Sequence, residues 1–177
     1  PGSYTSWDRA VDLSGLTPGY LAELAAAAAR AGTDESVITG RGLVRGRPVA
    51  VVVNEFRFLA GTIGRAAAER IVAAVRRATA GGLPLLAATS SGGTRMQEGT
   101  PAFVWMAEIS RALMEHRAAG LPYLVYLRHP TTGGVFASWG SLAHVTVAEP
   151  NALVGFLGPK VYEALNGMPF PAGGQTA

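Results

Sequence analysis

The sequence predicts an α/β fold built around one mainly parallel β-sheet. Apolar runs of strand length alternate with helical patterns, which is typical of βαβ units. A strand-to-diglycine unit also occurs twice, introduced by Gly82-Leu83-Pro84 and again, 38 positions later, by Gly120-Leu121-Pro122. With 177 residues, of which 49% are apolar, the chain is long enough for one domain with a buried core.

The N-terminal half is predicted to hold an arm, a hairpin and a helix. Residues 1–33 form the expected arm, with a helix from Pro18 to Arg30, and residues 34–177 form the main domain. The hairpin strands are expected at Val37–Val44 and Pro48–Glu55. A helix then runs to about Ala80. Its expected buried face consists of Ala67, Ile71 and Val75.

The second half is predicted to alternate strands and helices. The expected elements are a strand at Leu85–Ala88, a helix at Gln97–Ala119, a strand at Tyr123–Leu127, a short helix to Ala143, strands at Val145–Ala148 and Leu153–Phe156, and a helix at Val161–Leu165. The buried face of the long helix is expected to hold Ala102, Met106, Ile109 and Leu113. The tail from Gly167 is rich in Pro and Gly, and we expect a further C-terminal segment to be missing.

Composition narrows the classes of function. The chain has no cysteine, which excludes disulfides, thiol nucleophiles and cysteine zinc sites and is compatible with the cytoplasm. The net charge is only +3, and the basic residues are scattered apart from Arg41, Arg45 and Arg47. We therefore expect no nucleic-acid partner. No apolar run reaches 18 residues, so no membrane span is expected either.

The two diglycine turns are the candidate site. The first follows Thr89-Ser90-Ser91 and is Gly92-Gly93; the second follows Thr131-Thr132 and is Gly133-Gly134. Turns after adjacent parallel strands lie at one sheet edge, where ligands bind in α/β folds. Backbone N–H groups of two such turns, facing one cleft, would stabilise an enolate oxygen. An ordinary strand-to-helix turn is the alternative, whereas the patterns of phosphate-binding loops are missing.

Side-chain catalysis has little support in the sequence. Ser90, Ser91 and Ser138 lack the surroundings of a nucleophile elbow, and no clustered His or carboxylate spacing predicts a metal site. His116 is expected to be solvated and His144 to be structural. His129 precedes the second turn, where packing or loop hydrogen bonding is expected rather than catalysis.

Four ordered motifs resemble one family, the carboxyltransferase β subunits of acetyl-CoA carboxylase and related acyl-CoA carboxylases. The motifs span residues 92–99, 120–123, 130–138 and 148–159. The resemblance implies a crotonase-like (ClpP/crotonase) single domain, a spiral of ββα units. It also implies transfer of a carboxyl group from carboxybiotin on a carrier protein to the α-carbon of an acyl-CoA. The base would be the ureido nitrogen of biotin, and no metal is implied.

The resemblance also implies roles for residues and for partners. Gly133 and Gly134 would be the oxyanion donors. Substrate would contact a larger set around the turns: Ser91, Gly92, Gly93, Arg95, Thr132, Phe156 and Gly158. The implied partners are a second, α-type carboxyltransferase half, a biotin carboxyl carrier protein and acyl-CoA, in a hetero-oligomer.

Two other functions remain open at this point. One is a biotin-independent decarboxylase of a malonyl thioester, which needs the same enolate site. The other is a non-catalytic acyl-CoA-binding assembly subunit, which the two intact diglycines disfavour.

Overall fold

The computed structural model describes residues 2–177, and these contain one mixed seven-stranded sheet. The strands are β1 (Thr5–Ser6), β2 (Val37–Val44), β3 (Arg47–Asn54), β4 (Leu85–Ser91), β5 (Tyr123–Thr132), β6 (Val145–Ala148) and β7 (Val154–Gly155). Strands β1 to β6 lie in chain order, and β7 pairs with the end of β5. The first two pairings are antiparallel, and all others are parallel. The predicted α/β sheet is confirmed.

The helices cover the sheet and bury the predicted apolar faces. They are α1 (Pro18–Ala31), α2 (Arg65–Ala80), α3 (Thr100–Ala118), the single turn α4 (Gly133–Val135) and α5 (Pro159–Asn166). Helices α2 and α3 contact each other and join the sheet in one apolar core. All seven residues predicted for the inner faces of α2 and α3 are buried.

Strands β4 and β5 extend further than predicted, because polar residues at their ends bond between strands. The sequence placed these strands at Leu85–Ala88 and Tyr123–Leu127, which is too short. The hydroxyls of Thr89 and Thr131 lie 2.9 Å apart, and Ser90 Oγ donates to the carbonyl of His129 at 2.9 Å. Buried hydroxyls with such partners are compatible with a strand, so polarity alone misplaced the strand ends.

Glycine and local distortion shift several helix bounds. Helix α3 begins at Thr100 rather than Gln97, because Gly99 has a φ of 63° and separates it from a 3₁₀ turn at Met96–Glu98. After α4 the chain forms a π-type turn, Phe136–Gly140, so the predicted helix to Ala143 ends early. Ser138 interrupts that turn, with φ −113° and ψ −105°.

The N-terminal helix forms a second, smaller core. Its Tyr20, Leu24 and Ala27 pack with Phe58 from the segment after β3. Thr17 caps the helix, its hydroxyl accepting from Tyr20 N at 3.4 Å. Helix α1 therefore lies beside the segment between β3 and α2, whose Ala60 carbonyl accepts the N–H of Gly92 in the first diglycine turn. No helix within residues 2–177 has the length and hydropathy needed to cross a bilayer.

Candidate functional site

The two diglycine turns lie against each other at the carboxyl ends of β4 and β5. A Cβ atom added to Gly93 would lie 3.3 Å from both Gly133 Cα and Gly134 N, and one added to Gly133 would lie 3.2 Å from Gly93 Cα. Both residues also have positive φ, at 111° and 62°. Only glycine allows this approach of backbone to backbone without displacement. The turns thus share one place in the fold, as the sequence predicted.

The amides of the first turn are bonded inside the protein. Gly92 N donates to Ala60 O at 2.9 Å, and Gly93 N donates to Ser91 Oγ at 3.0 Å. The expectation that these two N–H groups face a ligand is therefore wrong. The sequence predicted the position of these glycines correctly, but Ala60 O, from the segment after β3, and Ser91 Oγ, from the end of β4, accept their hydrogen bonds.

In the second turn, the two glycine amides differ in their hydrogen bonding. Gly133 N donates to Phe156 O at 2.9 Å, so Gly133 cannot offer this N–H to an oxyanion as the sequence suggested. Within residues 2–177, the N–H groups of Gly134 and Val135 have no acceptor. The first amides of a helical turn lack internal partners, which leaves both groups available. Of the two expected donors, the structure therefore retains Gly134.

A further available donor, on the first turn, is Thr94, which sequence reasoning missed. Ile63 N donates to Gly93 O at 2.9 Å, and Arg95 N donates to Ile63 O at 3.0 Å. Successive residues of an extended segment point their N–H groups to opposite sides, so Thr94 N–H points away from Ile63. Ile63 follows β3, and the opposite side belongs to β5 and the second turn. Thr94 N has no acceptor within the described residues. The isolated bridge to Ile63 has no signal in the sequence.

Side chains fix the position of Gly134 closely. A Cβ atom there would lie 2.7 Å from Thr94 Oγ1 and 3.7 Å from the Met106 side chain. Ser138 Oγ donates to Gly134 O at 2.5 Å. The Gly134 carbonyl is thus fixed by a hydrogen bond, whereas the Gly134 N–H remains unbonded within residues 2–177.

A buried ionic cluster lies under the first turn. The Arg95 side chain is 1% exposed and forms two bonds with the Glu35 carboxylate. It also donates to Ser36 Oγ and Thr62 O, at 3.2 and 2.8 Å. Burial disfavours its charge, but the bonds to Glu35 and the Glu35 charge raise the pKa of Arg95 above its usual value. The guanidinium is bonded inside the fold, and its contact with substrate remains a prediction.

The cluster extends to the N-terminal helix. Tyr20 Oη donates to Glu98 Oε1 at 2.6 Å, and Glu98 Oε2 accepts from Arg65 N at 2.5 Å. Arg95 Nη1 lies 3.4 Å from Glu98 Oε1, which adds a second ion pair to the cluster. Burial, followed by the bond to Glu98, raises the pKa of Tyr20. Helix α1 is therefore connected to the turn through charged groups.

The other predicted site residues gather around the two turns. Ser91 is buried and accepts the Gly93 N–H through its hydroxyl. Thr132 Oγ1 donates to Ser91 O at 3.3 Å, and a Cβ atom on Gly158 would lie 3.6 Å from Thr132 Oγ1. The side chain of Phe156 is exposed, although its carbonyl accepts from the second turn. Direct contact of these residues with substrate remains a prediction.

All three histidines have structural hydrogen bonds. His129 Nδ1 accepts from Leu153 N and His144 Nδ1 from Tyr123 N, each at 3.0 Å. His116 was expected to be solvated, which is wrong: it is fully buried, with Nδ1 2.9 Å from Thr79 Oγ1. Of its charged neighbours in sequence, Glu115 is exposed and Arg117 is half-buried. Burial lowers the pKa of His116, so the neutral ring is favoured.

Known proteins are similar in sequence to nearly the whole chain. A probable biotin-dependent acyl-coenzyme A carboxylase beta3 subunit from Mycobacterium tuberculosis (strain ATCC 25618 / H37Rv) is 66% identical over 176 residues, 99% of this chain and 36% of that protein. An acetyl-coenzyme A carboxylase carboxyl transferase subunit beta from Opitutus terrae is 47% identical over 146 residues, 82% of this chain and 50% of that protein. The chain thus spans between a third and a half of these relatives.

Solved structures share the fold at lower identity. A transcarboxylase 12S structure superposes with a TM-score of 0.72 at 24% identity, covering 97% of this chain and 32% of that one. A Pseudomonas malonate decarboxylase hetero-tetramer gives a TM-score of 0.73 at 24% identity, covering 93% and 60%. The carboxyl transferase domain model matches residues 18–175. This chain therefore belongs to the carboxyl transferase domain family and has its crotonase-like fold.

Proposed function

We propose that this chain is the β-type half of an acyl-CoA carboxyltransferase, the part that holds the thioester while its α-carbon accepts a carboxyl group from carboxybiotin. The observation that carries the proposal is the pair of amides, Thr94 N–H and Gly134 N–H, left without acceptors in residues 2–177 where the two turns meet. The family and the β-subunit names of the relatives support it.

The chemistry requires such a pair of donors. Removal of the α-proton of a thioester places negative charge on the carbonyl oxygen, forming an enolate. A fixed N–H group aimed at this oxygen lowers the barrier by roughly 3 to 4 kcal/mol. The C–N bond of carboxybiotin breaks, the released carboxyl group bonds to the α-carbon, and the ureido nitrogen takes the α-proton.

The histidines are consistent with a base supplied by the substrate. His116 is buried, and the Nδ1 atoms of His129 and His144 already accept hydrogen bonds from backbone N–H groups. This chain would then orient the thioester and stabilise charge, with the ureido nitrogen acting as the base. We propose biotin on a carrier protein and acyl-CoA as the two substrates.

The proposal includes partners. One crotonase-like domain supplies half of the cleft, so a second carboxyltransferase half would complete it, in a cytoplasmic hetero-oligomer with the carrier protein. Residues 1–177 alone are expected to carboxylate nothing. Robust carboxylation by the isolated segment would count against this arrangement.

The test uses the full-length protein containing this chain, together with its carboxyltransferase partner. Malonyl-CoA and methylmalonyl-CoA are incubated with and without biocytin, a soluble biotin derivative, and loss of the carboxyl group is measured by chromatography. Biocytin-dependent decarboxylation is the expected result. Equal decarboxylation without biocytin supports the malonyl-thioester decarboxylase instead. Acyl-CoA binding with no turnover in either arm supports the non-catalytic assembly subunit.

A further inference from the structure

The Thr94 hydroxyl is a buried polar group without a hydrogen-bond partner among residues 2–177. Leaving a buried hydroxyl unsatisfied destabilises the fold, because the hydroxyl loses its hydrogen bonds to water and gains none in return. Most buried polar side chains in native proteins are satisfied, so an exception needs a physical explanation. Its position suggests one.

The hydroxyl lies at the amide that the proposed function uses. A Cβ atom on Gly134 would be only 2.7 Å from Thr94 Oγ1, so the oxygen contacts the Cα side of that glycine. The backbone N–H of Thr94 itself is the other donor in the proposed pair. One residue therefore brings a side-chain donor and a main-chain donor to the meeting point of the two turns.

The neighbouring hydroxyls are all engaged, unlike that of Thr94. Ser138 Oγ donates to Gly134 O at 2.5 Å, Thr132 Oγ1 to Ser91 O at 3.3 Å and Ser90 Oγ to His129 O at 2.9 Å. These three hydroxyls hold the backbone of the site in place. Thr94 has no such bond to give up when a ligand arrives.

We propose that the Thr94 hydroxyl is a third donor to the enolate oxygen, beside the N–H groups of Thr94 and Gly134. A χ1 rotation between staggered positions would carry Oγ1 from its buried position toward the ligand oxygen. The proton stays on Oγ1, and only a hydrogen bond forms. This inference rests on the proposed carboxyl transfer.

The inference predicts opposite effects on stability and turnover. The variant Thr94→Val keeps the shape of the side chain and removes the unsatisfied hydroxyl, so the unfolding temperature should rise. The variant also lacks a hydrogen bond to the charged oxygen that forms only in the transition state. Its kcat should therefore fall roughly tenfold to hundredfold, with KM unchanged. Thr94→Ser keeps the hydroxyl, and its kcat should stay within about threefold of wild type.

The experiment measures these two quantities on the full-length protein with its partner, using malonyl-CoA and biocytin. A Thr94→Val protein that turns over like wild type overturns the inference alone. So does one that unfolds at a lower temperature or fails to fold, because the hydroxyl would then have a structural role. An inactive wild-type protein instead rejects the proposed function, and this inference with it.

Discussion

The two diglycine turns come from the same sequence unit but differ in the N–H groups that they leave available. In the first turn, Gly92 and Gly93 both donate to acceptors within the fold, Ala60 O and Ser91 Oγ. In the second, Gly133 donates to Phe156 O, but Gly134 has no acceptor within residues 2–177. A repeated motif therefore does not imply a repeated role.

The course of the chain after each turn explains the difference. After Gly93 it stays extended and bridges to Ile63, which turns Thr94 N–H toward the second turn. After Gly133 it enters a helical turn at once, and the first amides of that turn lack internal acceptors. The first turn thus contributes its following residue, whereas the second contributes its own glycine.

The largest difference between the two turns is in the side chains that stabilise them. The variant Arg95→Met tests this difference. Removing the guanidinium leaves Glu35 as an uncompensated buried charge, which should lower the free energy of unfolding by about 3 to 5 kcal/mol. Urea unfolding measures the loss.

The control is Arg111→Met, because Arg111 forms only exposed ion pairs with Glu108 and Glu115 on α3. It should cost less than about 1 kcal/mol. Adding Glu35→Gln to Arg95→Met should restore part of the stability. Equal losses for Arg95→Met and Arg111→Met would contradict the buried cluster as the support of the first turn.

Alanine substitution tests the functional difference. In Gly134→Ala, the new Cβ atom meets Thr94 Oγ1 and displaces the amide, so kcat should fall about 10²- to 10³-fold. In Gly92→Ala, the nearest atom to Cβ lies at 3.7 Å, and the N–H is already bonded inside, so the loss should be less than about tenfold.

Gly19→Ala is the control, since Gly19 belongs to neither turn and, apart from its chain neighbours and its own helix backbone, no atom of residues 2–177 lies within 4 Å of its Cβ position. A Gly92→Ala protein that loses more activity than Gly134→Ala would reverse the assignment of the two turns.

The free energy of unfolding should depend on pH through His116. The buried ring of this residue faces Pro122 O, just before β5, and lies near His144. Burial lowers the pKa of His116 in the folded state, so the unfolded chain binds the proton first. This contribution to stability is complete above about pH 6.5 and is lost as the pH falls from there toward the folded-state pKa.

Urea unfolding between pH 7.5 and 5.5 measures this loss, at most about 1.4 kcal/mol per pH unit. His116→Gln, compared over the same range, should show a smaller decline. An identical decline in both proteins would show that other groups cause it.

The smallest effect is expected at Ala60, whose carbonyl accepts the Gly92 N–H while its own φ is 55°. This left-handed conformation costs an L-residue roughly 1 kcal/mol and costs glycine little. Ala60→Gly should therefore leave the free energy of unfolding unchanged or raise it by up to about 1 kcal/mol, as thermal unfolding can test. A clear destabilisation would mean that the alanine methyl group has a packing role.

Much of the fold could be predicted from the sequence, because the spacing of apolar residues indicates which face of a helix or strand is buried. The faces of α2 and α3 and both hairpin strands could be predicted from it. The strand ends could not, since Thr89, Ser90 and Thr131 are polar residues satisfied across strands. His116 was misplaced for a related reason, because its neighbours in sequence do not share its face of α3.

The site was accessible only in part. Glycine pairs after parallel strands predicted where the turns meet, but not which amides remain available. That depends on Ala60 O and Phe156 O, two acceptors brought in by tertiary structure, and on Ser91 Oγ, which accepts from Gly93 two residues later in the chain. Thr94 depends on a single bridge to Ile63, and single bridges have no sequence pattern.

A crystal structure of the full-length protein with a non-hydrolysable acyl-CoA analogue would show directly which N–H groups bind the thioester oxygen. We expect the oxygen that replaces the thioester carbonyl to lie about 2.7–3.1 Å from both Thr94 N and Gly134 N, the range for oxyanion donors. An oxygen bound instead by Gly92, Gly93 or Gly133, or one remote from both turns, would contradict this expectation.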